Sequence, residues 1–509
     1  MKKAVALLLA AALAASASAS MLSCSKSGNE TADTSAEAVG TTAAEAETTT
    51  VSWKSQLQQE DYGGEKITIL VETNAKTPIW ERYWTAEEDS GDILSSAVYK
   101  RNLNVSEYYN IDIEYAFTEG IADRMYKSVV AGEYVYNYTI FHLAAASGVV
   151  LKGAYLNWMD LPSVDFENPW WSKSNIEDLA YKNVLFTAVG DYATSTLATT
   201  YCMFFNSRLT ENYGLKGIYD TVKSGQWTMD KLKNITKDIY VDLNNDGQAG
   251  AEDMYGFVTP PATALIAYNW ALGGQIFKKD ADGGLKNVYM NDNTVTMFEK
   301  LYSLLYESEG SYTSKQYRSP YGDAYHNMGR DYLINAQAVF INGVFDDALT
   351  HFRAMEDDFG IIPYPKLNES QSDYYTTCNA NLEAMTLPIT TPAEKLEMIG
   401  ILAEALNAES YQSVTPAYYQ SSLKDKASRD ETSLYMLDLI RDSRKYDFGY
   451  LYNFGTDGTY YASFMENMMN PDSPSADIVS MFEKNSEKFE KYFQKIFNYY
   501  DEYIAKYGA

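Results

Sequence analysis

The chain has 509 residues, with 41 Lys and Arg against 69 Asp and Glu, a formal charge of −28. So acidic a chain disfavours nucleic acid and anionic lipid as partners, because phosphate recognition needs clustered cations. Three cysteines make no disulfide framework and leave two readings for Cys202 and Cys378, free buried thiols or a single bridge.

Lys2 and Lys3 precede an apolar run, Ala4 to Ala15, that is short for a membrane span and is followed by small residues. Residues 1–23 therefore read as a signal peptide. Met21-Leu22-Ser23-Cys24 resembles a bacterial lipobox, with Met21 where Leu is usual. That resemblance implies that Cys24 carries a lipid, becomes the mature N-terminus and anchors the chain to a membrane. The segment that follows is rich in Ser, Thr, Ala, Glu and Gly and has too little apolar surface to offset its ordering entropy. Residues 24–60 are expected to be a flexible lipoprotein tether.

From Lys66 the pattern alternates. Ile67 to Val71 is a β-branched run suited to a buried strand, Asp92 to Tyr109 has helical spacing, and Ile111, Ile113 and Tyr115 alternate as a second strand. A helical stretch near Met125 to Val130 leads to a third strand at Tyr138 to Phe141. This β-α-β-α-β order predicts an α/β fold with a parallel, doubly wound sheet. Farther on, Leu396, Ile399, Leu402 and Leu406 share one helical face. A last helix is expected to start at Ser473 as N-cap with Pro474 at its first position, its apolar stripe serving packing.

The stretch 204–258 holds two signals. Asp242, Asn244, Asp246, Gly247 and Asp253 fall at positions 1, 3, 5, 6 and 12 of the EF-hand calcium pattern, and Gln248 would add its backbone carbonyl. A hard cation needs converging oxygens, so a structural Ca2+ is expected on Asp242, Asn244, Asp246, Gln248 and Asp253. Asp253 stands where Glu is usual, which shortens its reach. The other reading is a solvated Asn/Asp/Gly turn.

The second signal lies in Phe205-Asn206, then LTENYGL at Leu209 to Leu215, then Gln226-Trp227-Thr228 with Leu232, and Tyr255-Gly256-Phe257 after the acidic loop. Their order and spacing resemble the family 1 extracellular solute-binding proteins, the maltose-binding-like receptors of ABC importers. The resemblance implies a two-lobed, periplasmic-binding-protein-like fold of type II, each lobe a mainly parallel sheet flanked by helices, joined by a hinge. On that pattern residues 61–192 and 384–440 form lobe 1, and 193–383 and 441–509 form lobe 2. It also implies a carbohydrate ligand, ABC transporter permease subunits as partners, a probable monomeric state read as the default, and an extracytoplasmic location.

In such a fold the ligand lies between lobes, outside the carboxyl ends of the strands. Pattern and resemblance together place there Trp80 and Trp84, Asp191 and Tyr192, Trp270, and Phe345 with Asp347. Trp270 and Phe345 are the expected stacking rings, and Asp191 and Asp347 the expected hydroxyl acceptors. Each Trp reads equally well as a packing residue. Catalysis has little support: His142, His326 and His351 are scattered, and no nucleophile-elbow, Walker or dinucleotide fingerprint occurs in context. Three alternatives remain: an outer-membrane-type glycan-binding lipoprotein built from helical repeats, a glycoside hydrolase using two of the many carboxylates, and a receptor that reports to a membrane sensor in place of a transporter, which sequence does not separate from import.

Overall fold

The computed structural model describes residues 52–73, 78–87, 91–322, 324–379, 382–422, 431–452, 461 and 463–508, with residues 78–80 and 431 described by backbone alone. The expected signal peptide, Cys24, most of the tether and the Trp80 side chain lie outside the described residues.

Twelve strands are present among these residues. In chain order they are β1 (Glu65–Glu72), β2 (Ile111–Thr118), β3 (Tyr138–His142), β4 (Tyr201–Asn206), β5 (Tyr240–Val241), β6 (Met254–Val258), β7 (Phe277–Lys279), β8 (Leu285–Asn287), β9 (Ser311–Tyr312), β10 (Ala338–Val344), β11 (Phe359–Ile362) and β12 (Glu383–Thr386). The first sheet has the order β12-β3-β1-β2. Its pairings β1–β2 and β1–β3 are parallel, as the β-α-β-α-β reading requires, and β12 joins β3 in the antiparallel sense. Ile67, Ile69, Leu70 and Val71 of β1 are buried because helices cover both faces of this sheet. The helix Ile93–Tyr109 begins where expected: Asp92 caps it by accepting from the Ser95 amide, and Asn110 ends it in the left-handed region.

The second sheet, ordered β11-β4-β10-β6-β5 with β9 on β6, is mixed rather than mainly parallel. β10–β6 and β6–β9 are parallel; β10–β4, β11–β4 and β5–β6 are antiparallel. β4 enters this sheet directly from the first half of the chain, against the direction of β10.

Three stretches cross side by side between the sheets. The first runs from Asp191 to Tyr201 through the short helix Ser195–Ala198, the second from Thr376 to Glu383, and the third from Ser443 to Phe448. Backbone bonds stitch them: Tyr201 N to Thr377 O at 3.0 Å, Thr376 N to Ser443 O at 3.0 Å and Lys445 N to Thr376 O at 2.7 Å. Cys378 is buried in the middle stretch, its thiol 3.3 Å from the Thr196 carbonyl. Both Cys202 and Cys378 are free thiols, so the bridged reading falls.

The last helix, Ile478–Tyr507, starts four residues later than the Ser473-Pro474 pattern predicts. Asp477 is the cap, accepting from the Ser480 amide at 3.1 Å. Phe482 of this helix stacks near Tyr289 and Tyr461, and farther along Tyr500 packs on Phe186 while the Tyr503 hydroxyl accepts from Asn157 N. The helix thus binds residues on both sides of the crossing instead of serving the second half alone. No helix among the described residues is long and apolar enough to cross a membrane.

Candidate functional site

The carboxyl ends of β1, β3 and β10 meet along a seam between the two sheets. At one point Arg82, after β1, and Asp346, after β10, form an ion pair at 2.8 Å, and the Tyr83 hydroxyl donates to the same Asp346 oxygen at 2.8 Å. Asp346 was not among the expected ligand residues. Its neighbour Asp347 was, and its oxygens are engaged: Oδ1 accepts from Arg330 Nε at 2.7 Å and Oδ2 from Val344 N at 2.9 Å. Asp347 therefore caps the helix Phe345–Thr350 and anchors Arg330.

Four of the expected aromatic residues, Trp84, Tyr192, Trp270 and Phe345, are buried in packing contacts in this arrangement. Trp84 and Tyr192 are fully buried, their rings 5.0 Å apart and edge to face. The buried Arg101 guanidinium lies over the Tyr192 ring, and the Tyr192 hydroxyl meets that of Tyr115 at 2.6 Å. Trp270 is buried against Tyr450 at 4.7 Å, and Phe345 belongs to the core around β4 and β10. The structure does not gather these rings around one open space.

Near Trp84, Glu383 opens β12 opposite His142. Its backbone amide donates to Ser195 Oγ at 3.3 Å, while neither carboxyl oxygen has a hydrogen-bond partner. Burial pushes this carboxyl up to about 8; the Ser195 hydroxyl and Trp84 indole oppose the rise and the Glu72 charge adds to it. Glu383 is thus a neutral acid at pH 7.

Of the expected residues, Asp191 lines a cavity among the described residues. This space of about 320 Å³ lies beside the crossing stretches, with walls from Trp171, Ser172, Lys173 and Ser174, from Gly190 and Asp191, from Thr196 and Tyr411, and from Arg441, Asp442 and Arg444. Lys173 and Asp191 come from the first half, whereas Arg441 ends a helix, Glu431–Asp442, that packs on β11 of the second sheet. Gly190 has to be glycine here: a Cβ would sit 2.1 Å from Asn407 Oδ1, which accepts from Tyr192 N. Burial pushes the Asp191 carboxyl up to about 6, with the charges of Arg441 and Arg444 and the Thr415 hydroxyl opposing. Arg441 donates to Asp442 at 2.9 Å, and Arg444 Nε to the Arg441 carbonyl at 2.8 Å. Thr196 Oγ1 is buried with no partner. Hydrogen-bond donors, acceptors and aromatic side chains therefore line one half-open space, the chemistry of a small polar ligand site. The arginines were missed because Arg441 and Arg444 lie in an ordinary polar helix end, 250 residues from Asp191.

The loop expected to hold calcium folds with Asn245 and Gly247 in the left-handed region, at φ 60° and 73°. Gly247 N donates to Asp242 Oδ2 at 2.9 Å, and Asp242 Oδ1 is buried with no partner, an acceptor that a cation would satisfy. Asn244 and Asp246 stand exposed at the rim, bonded to each other at 3.2 Å. Asp253 is turned inward: it accepts from Leu243 N at 3.1 Å, from Gly250 N at 2.9 Å and from the Tyr240 hydroxyl at 3.2 Å. It closes the loop as a clamp and does not stand free as a ligand. Among the described residues no group of three or more His, Cys, Asp or Glu side chains is gathered as a metal set.

No protein-family model matches the chain, and no curated protein matches it. Solved structures share its fold. The galacto-N-biose/lacto-N-biose I-binding protein of the ABC transporter from Bifidobacterium longum, in complex with lacto-N-biose, aligns with a TM-score of 0.54 at 12% identity, over 86% of this chain and 99% of that one. UgpB from Mycobacterium tuberculosis, in complex with glycerophosphocholine, gives 0.52 at 11% identity, over 86% and 99%. An ABC substrate-binding protein from Listeria monocytogenes, in complex with cycloalternan, gives 0.50 at 11%, over 84% and 99%. Together with the two sheets and their triple crossing, these likenesses establish a two-lobed fold like that of type II periplasmic binding proteins.

Proposed function

We propose that this protein is the extracytoplasmic solute receptor of an ABC importer, binding a carbohydrate between its lobes and passing it unaltered to permease subunits. The observation that carries this reading is the half-open cavity with charged and polar walls at the crossing of a type II binding-protein fold. Two of the three solved relatives hold glycans, lacto-N-biose and cycloalternan. Asp191 keeps the ligand role expected of it, and Thr196, Arg441 and Arg444 join it; Trp84, Tyr192, Trp270 and Phe345 serve packing and Asp347 caps a helix.

A helical-repeat glycan-binding lipoprotein does not fit two sheets with a β-α-β start. A hydrolase would need two carboxylates free to face a glycosidic bond, and of the two lining the cavity Asp442 is already tied to Arg441. Lipidation at Cys24 and attachment through the tether belong to the same proposal, checked by mass spectrometry of the mature N-terminus. Calcium on Asp242, Asn244, Asp246 and the Gln248 carbonyl would neutralise clustered carboxylates and brace the loop, supplying no chemistry to the ligand. Isothermal titration against a panel of oligosaccharides tests the receptor reading: a glycan binding one to one supports it, and a glycan shortened during the titration counts for a hydrolase.

A further inference from the structure

Resting on the carbohydrate reading, we propose that the cavity at the crossing takes a sugar unit carrying a carboxylate, with Arg444 receiving the carboxylate and Thr196 and Asp191 the ring hydroxyls.

The unserved cation is Arg444. Arg441 has Asp442 at 2.9 Å and Asp438 at 4.0 Å, and Lys173 has Glu167 at 3.0 Å. Asp178, the other acid close by, is taken up by Ser174 Oγ at 2.7 Å and Tyr446 N at 3.2 Å. Arg444, only 9% exposed, forms no ion pair among the described residues; its Nε meets a backbone carbonyl, and Tyr446, Cys378 and, more distantly, the Asp191 carboxylate surround it. A buried guanidinium without a carboxylate is costly, and its fork matches a carboxylate that arrives with a ligand. Asp191 lines the same space without an ion pair to either arginine, so the cavity separates an acceptor from a cation. A ligand that presents hydroxyls to one and a carboxylate to the other bridges them.

Thr196 supplies the independent sign. It is 3% exposed, lines the cavity, and its hydroxyl has no partner among the described residues. Buried polar atoms are nearly always satisfied, so an unpaired one on a residue that lines a cavity is consistent with a polar partner arriving there. At about 320 Å³ the space is at the small end for ligand sites, which suits a single ring more than an extended chain.

Calorimetric titration of the mature protein with D-glucuronate and D-galacturonate, with D-glucose and D-galactose as neutral parents and acetate as a ringless anion, tests this. A uronate is expected to bind one to one, roughly tenfold or more tighter than its neutral parent and than acetate, and Arg444→Gln to lose about tenfold or more. A neutral parent or acetate binding as tightly as the uronate overturns the proposal, as does a folded Arg444→Gln variant with unchanged affinity. If neutral glycans bind and no uronate does, this inference falls while the receptor reading stands. Should Arg444→Gln lose its native melting transition, Thr196→Val and the salt dependence decide: uronate affinity must weaken in Thr196→Val and fall with added NaCl, and an affinity indifferent to both contradicts the proposal.

Discussion

Tyr83 and Asp346 lie 2.8 Å apart, hydroxyl to carboxylate, although 263 residues separate them in the chain. Arg82 reaches the same oxygen, so one carboxylate joins the segment after β1 to the helix after β10. Asp346→Ala leaves a fully buried tyrosine hydroxyl and a partly buried guanidinium without their acceptor. The expected loss is about 1–3 kcal/mol in urea unfolding, with Tyr83→Phe costing less because it removes only one donor. An unchanged midpoint in Asp346→Ala would show that the seam contact carries no stability.

Glu404, on the helix Leu396–Glu409, is a heavily used carboxylate. It accepts from Trp170 Nε1 at 2.5 Å, Trp171 Nε1 at 2.8 Å, Asp165 N at 2.8 Å and Asn168 Nδ2 at 3.1 Å. Trp171 also walls the cavity, so this carboxylate holds the wall in place. Glu404→Ala strands two buried indole donors and should cost about 3 kcal/mol or more, whereas Glu404→Gln keeps one acceptor and should cost less. Equal losses in both variants would mean that side-chain volume, not hydrogen bonding, is what matters.

Glu383 gives stability a pH dependence of predictable sign. Its carboxyl is raised from 4.5 in the unfolded chain to about 8 in the fold. Between those values the folded state holds a proton that the unfolded state has released, so this group's contribution is full below pH 4.5 and declines as pH rises toward 8. The slope from this site is at most about 1.4 kcal/mol per pH unit. Glu383→Gln should flatten the curve over that window and raise the melting temperature at pH 8 relative to the parent. A variant whose pH profile overlays the parent's would show that Glu383 is charged in the fold.

Calcium should raise the melting temperature of the parent protein, because the ion binds only the folded loop. Asp242→Asn, which weakens the buried unpaired acceptor, should abolish most of that rise. An identical calcium shift in parent and variant would remove the proposed site.

The parallel part of the first sheet was legible because β1, β2 and β3 are short apolar runs separated by helical periods and pair with one another close in sequence, whereas β12 joins β3 from far along the chain. The mixed second sheet was not, since β4 pairs with β10 and β11 across more than a hundred residues, and strand direction leaves no mark on a buried apolar run. The binding rings were not legible either, because Trp84 and Trp270 offer the same hydrophobic surface to a core as to a sugar. Asp347 could not be told from Asp346 by sequence: adjacent acids differ here only because Arg330 and the Val344 amide reach one, and Arg82 with Tyr83 the other. Asp477 displaced Ser473 as the helix cap because both offer a side-chain acceptor, and only the fold decides which amide is within reach.

The most direct test of the central claim is X-ray scattering combined with calorimetry on the mature protein, with and without an oligosaccharide found to bind. The account predicts one-to-one binding, recovery of the glycan intact, and loss of affinity in Asp191→Asn with the melting temperature little changed. If no carbohydrate binds, or if the bound glycan is recovered cleaved, the receptor assignment is contradicted.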